Sequence, residues 1–180
     1  MNQTKYLFDS NCLLEAQNFY YNPEFSEAFW EWVLIANENG VLFTIDKVVN
    51  ELLVKKDYLH DYIHQHHDKL ALKSDVDESV AKYGELQVWA RTVWTLQKDV
   101  RLATKALEEF ANIDKADCWL IAYASAYGFE IITNETPAPT KVSKVKIPDA
   151  ANAFGVKTVR LHEVLSKYAH KTFTFKLPAP

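Results

Sequence analysis

At 180 residues the chain has the length of one domain, with room for a substantial buried core. Hydrophobic residues make up 48% of it and glycines number only four, the composition of a compact, helix-rich globular protein. A net charge of −4 argues against a broad electrostatic grip on nucleic acid, while a local basic patch stays open. Cys12 and Cys118 are too few for a disulfide scaffold and suit a reducing cytoplasm. The N-terminal stretch reads as lacking a signal peptide, because Asp9 and Asn11 interrupt the Tyr6–Phe8 run. No run approaches the roughly 20 apolar residues of a membrane helix.

Residues 5–9 read as a first strand, left through a turn at Asp9-Ser10-Asn11. A mixed segment, Cys12 to Pro23, precedes a helix over Glu24 to Ile35 with Phe25, Phe29, Trp32 and Val33 turned inward. Asn37 to Gly40 stops it, and Val41 to Ile45 is a second strand. Asp46 is expected to cap a helix over Lys47 to about Leu59, with Glu51 beside its apolar face, and helical signal continues from Asp61 to Leu72. After a charged break, Lys73 to Glu78, one or two helices fill Val80 to Phe110, jointed near Lys98-Asp99. Leu86, Val93 and Leu96, with Trp89, are the expected inner face.

Lys115 to Gly128 reads as a buried helix, capped by Asp114 and stopped by Gly128 in the left-handed conformation. Leu120, Ile121, Ala124 and Tyr127 form its apolar stripe, and Asp117 lies on the same stripe. A carboxylate there is costly unless a charge or donors meet it, although a first helical turn offers free N–H groups. Ile131 to Asn134 is a further strand, ending at Glu135; a Pro-rich loop and a basic stretch, Lys141 to Ile147, follow, closed by Pro148. Asn152 to Phe154 suggests a short helical turn, Val156 to Leu161 a last strand and His162 to Tyr168 a last helix. The tail, Thr172 to Pro180, is either an edge strand or loose. The order predicts a single α/β domain over residues 1–180, a small parallel sheet with helices on both faces.

Two of these strands end in acids, Asp9 and Glu135, and parallel sheets place their sites at the carboxyl ends of strands. With Glu51 and Asp117 they make four acids expected to converge. Two carboxylates about 4 Å apart repel by roughly 4 kcal/mol at a surface-like dielectric, so such a cluster calls for a cation. Oxygen ligands alone select Mg²⁺ or Mn²⁺ over zinc, and the matching chemistry is metal-assisted phosphodiester hydrolysis.

Asp9, Val48-Val49-Asn50-Glu51-Leu52, Lys115-Ala116-Asp117 with Leu120 to Ala124, and Ile132-Thr133-Asn134-Glu135 resemble the four signature segments of PIN-domain proteins, in order. The resemblance runs from about Tyr6 to Leu165 and suggests a prokaryotic branch longer than typical VapC toxins. It implies a PIN-like, Rossmannoid fold and an Mg²⁺- or Mn²⁺-dependent ribonuclease, a toxin held by a small antitoxin and often dimeric. It assigns metal binding to Asp9, Glu51, Asp117 and Glu135. Glu135 stands where much of the family has aspartate, which makes contact through water more secure there than a direct bond. Ser10, Thr133 and Asn134 fall where small polar groups orient water or phosphate. Lys146 is the chosen substrate contact because Ile147 and Pro148 fix its surroundings, whereas Lys141 and Lys144 read equally well as a solvated basic loop.

His60, His64 and His67 have metal-compatible spacing but flank the buried side of their helix and read as solvent-facing. Cys118 reads as a small core residue, and scattered glycines exclude a phosphate-binding Gly-rich loop. Two rivals stay open: a PIN-like module that binds RNA or protein with a weak metal site, and an α/β phosphatase using Asp9 as nucleophile. The second is disfavoured by Asn11, where that class often has an aspartate.

Overall fold

Three consecutive buried residues form β1 (Tyr6–Phe8), the middle strand of a five-stranded parallel sheet, in a computed structural model that describes residues 3–96 and 98–170. A strand covered on both faces needs no polar alternation, which is why this run is apolar throughout. Beside it lie β2 (Leu42–Ile45) on one flank and β4 (Glu130–Ile132) on the other. The edges are β3 (Ala71–Leu72) and β5 (Thr158–Val159), giving the order β3-β2-β1-β4-β5. Tyr6 pairs with both Leu42 and Glu130, and Phe8 pairs with Ile132, so β1 and β4 end level with each other. The chain winds outward through β2 and β3, then restarts on the far side of β1. That reversal puts a topological switch point at the carboxyl ends of β1 and β4, where open α/β sheets hold their ligands. The α/β class read from sequence is the observed one, a Rossmann-like arrangement.

Around the sheet are α1 (Ser10–Glu15), α2 (Glu27–Glu38), α3 (Asp46–Leu52), α4 (Tyr58–Leu70) and α5 (Asp77–Trp89), followed by α6 (Val100–Phe110), α7 (Ala116–Tyr127), α8 (Ile147–Ala153) and α9 (Leu161–Tyr168). Two π-helical turns extend α1 and α5, at Ala16–Tyr20 and Ala90–Trp94. Trp30 of α2 is buried among Phe29, Tyr58 and Tyr62 and donates its indole N–H to the Tyr21 carbonyl at 2.8 Å. No helix among the described residues is long and apolar enough to cross a membrane.

Several boundaries differ from the expectation. Ser10 and Asn11 open a helix rather than a turn, because the Asp9 side chain accepts the Asn11 N–H and caps it. The inner face of α2 is Phe29, Trp30 and Val33, and Phe25, which precedes the helix, is exposed. The single helix expected over Lys47–Leu59 is two: α3 ends at Leu52, and Asp57 caps α4 by accepting the His60 N–H. At two residues β3 is too short to leave a period in the sequence. Val93 and Leu96 point outward, since the π turn rotates the face they would share with Leu86. Tyr127 is likewise exposed. Asp114 does not cap α7, whose preceding residue Lys115 makes no side-chain cap. Pro148, after which the basic stretch ends, sits in the first turn of α8, where its missing N–H costs nothing. The tail from Thr172 to Pro180 lies outside the described residues.

Candidate carboxylate site at the switch point

All four acids named from the sequence are drawn into one hydrogen-bonded circuit. Asp9 follows β1 directly; its amide donates to the Ile132 carbonyl at 3.1 Å, which ties it to the end of β4. Thr133, the next residue of that neighbouring chain, donates its hydroxyl to Asp9 Oδ2 at 2.9 Å. Ser10 lies 3.5 Å from Asp9 Oδ1 and 2.9 Å from Glu51 Oε2; one hydroxyl proton serves one of them, and the shorter contact is to Glu51. Glu51 Oε1 in turn accepts the Ala116 N–H at 3.1 Å. A helix start leaves such N–H groups without intrahelical partners, so a glutamate from α3 caps α7 in place of the expected Asp114.

One residue further on, Asp117 Oδ2 meets the Lys144 ammonium at 3.0 Å. The same Nζ is 2.9 Å from Glu135 Oε1, which also receives Lys146 Nζ at 2.9 Å. Glu135 Oε2 accepts the Ile147 N–H at 2.8 Å, and the Glu135 N–H donates back to Thr133 Oγ1 at 3.2 Å. Glu135 therefore holds the lysine-bearing loop with three donors. The two remaining sequence candidates behave differently: Lys146 contacts Glu135, and Asn134 donates to Glu15 of α1.

Lys144 is the residue that sequence reasoning undervalued. The signal was present in Lys144-Val145-Lys146-Ile147: Val145 and Ile147 are buried, so in an extended stretch both lysines turn to the opposite side.

The charges are unevenly compensated. Asp9 is 1% exposed, and no lysine, arginine or histidine within the described residues pairs with it. Burial and the Asp117 charge push its carboxyl up to about 7, and the Thr133 hydrogen bond only partly opposes them. Asp117 is also raised, since burial outweighs the pull of Lys144. Burial lifts Glu135 too, but Lys146, Lys144 and the Ile147 N–H more than offset it and hold its carboxyl low. Burial pulls Lys144 down, yet Asp117 and Glu135 keep its ammonium above the ordinary lysine range. Next to these groups opens a cleft of about 360 Å³, with Ser10, Glu51, Asp117 and Lys144 on its polar side and Leu14, Val54 and Phe110 on its apolar side.

The Domain of unknown function (DUF4411) family matches residues 6–172. The chain belongs to that family. No curated protein matches it, and no solved structure does. The DUF4411 match spans every element that builds the site, from β1 through α9.

Whether a divalent cation suits these side chains turns on what already sits between them. Among the described residues no three His, Cys, Asp or Glu side chains are gathered closely enough to hold a metal ion as they stand, the His60–His67 row included. Between Asp117 and Glu135 the occupant is an ammonium, a monovalent cation in a carboxylate seat. The donors are all oxygens, two of the acids have raised affinities for protons, and Asp9 has no counter-charge among the described residues. An all-oxygen donor set of this kind would suit a hard divalent cation rather than zinc.

Proposed function

We propose that this DUF4411 chain is an Mg²⁺- or Mn²⁺-dependent ribonuclease acting at the carboxylate cluster beside β1 and β4. One observation carries the reading: a fully buried Asp9 faces the charge of Asp117 with only hydroxyl and N–H donors around it. A charge removed from water without a counter-ion is expensive, and such pairs concentrate at functional sites. When bound, a divalent ion supplies neutralisation of the acids, polarisation of a phosphate and a more acidic water.

This chain's own groups do the rest. Asp9 and Asp117 would hold the cation. Thr133 fixes the Asp9 carboxylate through its hydroxyl, and Ser10 fixes Glu51. Glu51 anchors the start of α7 and so the placement of Asp117. Lys144, which lines the cleft, and Lys146, which shares Glu135 with it, offer ammonium groups to phosphate oxygens. Glu135 serves the loop in this scheme and would assist a cation directly or through water. The PIN resemblance extends the proposal to a toxin whose small protein antitoxin covers the cleft.

Asp117→Asn should lower Mn²⁺-dependent cleavage of a single-stranded RNA by about a hundredfold or more, with circular dichroism unchanged. Full activity in that variant contradicts the assignment. A second reading is favoured by the ammonium in the carboxylate seat: a PIN-like module whose site Lys144 closes, binding RNA or a protein without cleaving. Wild-type protein that takes up no Mn²⁺ at millimolar concentration and still binds RNA supports this second reading.

A further inference from the structure

Lys144 reaches the carboxylates from the segment between β4 and α8, which also carries Glu135, whereas Asp117 lies on α7. Its Nζ lies 3.0 Å from Asp117 Oδ2 and 2.9 Å from Glu135 Oε1, and its side chain is 28% exposed. Glu135 keeps two other donors, Lys146 Nζ and the Ile147 N–H, both at contact distance. Asp117 has no other cationic partner within the described residues. The two carboxylates are therefore unequal. Withdrawing Lys144 leaves Glu135 satisfied and Asp117 bare.

We infer that Lys144 is the resident cation of the Asp117 seat, and that a divalent ion occupies the site only by displacing its ammonium, which stays held by Glu135. The inference rests on the metal-dependent reading proposed above and adds to it a residue that sets the affinity for the ion. A protein built this way keeps its acid cluster tolerable without metal and loads at a higher ion concentration than an open seat would need. Among the described residues the Lys146 ammonium pairs with no acid but Glu135, and it takes no part in the competition. Once displaced from Asp117 but retained by Glu135, Lys144 remains at the cleft, available to a phosphate.

Mn²⁺ binding measured by calorimetry on the full chain, without RNA, tests this. Lys144→Met should bind Mn²⁺ roughly tenfold or more tightly than wild type, because a competing charge at hydrogen-bond distance is gone. Lys146→Met should stay within about twofold of wild type. Equal or weaker binding by Lys144→Met, with wild type still binding, overturns the competition and leaves the metal-dependent reading standing. No Mn²⁺ uptake by wild type or by either variant overturns both. Wild type alone gives a check that needs no variant to fold: the lysine ammonium resonance of Lys144 should move or broaden on addition of Mg²⁺, while an unchanged resonance at saturating Mg²⁺ overturns the inference.

Discussion

At the scale of residues, Asp9 decides how this molecule answers to pH. Its carboxyl titrates near 7 in the fold against an ordinary value of about 4 in the unfolded chain. Below pH 4 it is protonated in both states and contributes nothing. As pH rises from about 4 to about 7 the unfolded chain ionises first, so Asp9 lowers metal-free stability by at most ~1.4 kcal/mol per pH unit, then levels. Asp117, also raised, adds a decline of the same sign. Glu135 has its carboxyl held low, so the stability it adds is lost only as pH falls below its ordinary value, outside that window. Urea midpoints in chelator should decline between pH 4.5 and 7.5, and Asp9→Asn should flatten the decline. A wild-type profile that is level or rises over this range contradicts the assigned burial of an uncompensated charge. Much of this residue-level picture was legible in the chain. Asp9, Glu51, Asp117 and Glu135 stand out as acids beside apolar runs, whereas the partners that distinguish them do not: Ser10 meeting Glu51 and Lys144 meeting Asp117 join residues far apart in sequence.

At the scale of elements, α7 carries the site. It is buried on nearly all sides, with Cys118, Trp119, Leu120, Ile121 and Ala122 all inaccessible, which is why no clean amphipathic stripe marks its inner face. Its ends are set differently. Glu51 satisfies the start, and Gly128 ends it at φ +72°, a conformation that side chains with a Cβ rarely adopt. Nothing lies within 4 Å of where a Cβ would stand, so Gly128→Ala should cost about 1 kcal/mol from backbone strain alone, with Mn²⁺ binding unchanged. Urea unfolding reads the first quantity and calorimetry the second; a loss of metal binding would mean that the C-terminal stop positions Asp117. The same end was readable from sequence because a glycine after an apolar run is a local signal. Its start was not, since a cap borrowed from α3 leaves no local trace. The split of α3 from α4 and the two π turns were hidden for a related reason: apolar spacing continues across them while the backbone changes pitch.

At the scale of the whole molecule, the parallel order β3-β2-β1-β4-β5 assembles the site from segments more than a hundred residues apart. Because the end of β1 lies level with the end of β4, Asp9 and Thr133 meet across the switch point without any long side chain having to span a gap. Helices on either side then bring Glu51 and Asp117 toward it, and the loop before α8 brings Lys144. Fold class followed from the alternation of apolar runs and helices; the placement of the loop cation followed only from the folded chain. The most direct measurement is a crystal structure of the wild-type protein soaked in millimolar Mn²⁺ and recorded at a wavelength where manganese scatters anomalously. An anomalous peak against the carboxylates of Asp9 and Asp117, with Lys144 Nζ withdrawn from Asp117, is the result expected. A map without such a peak, and with Lys144 still bridging Asp117 and Glu135, would contradict it.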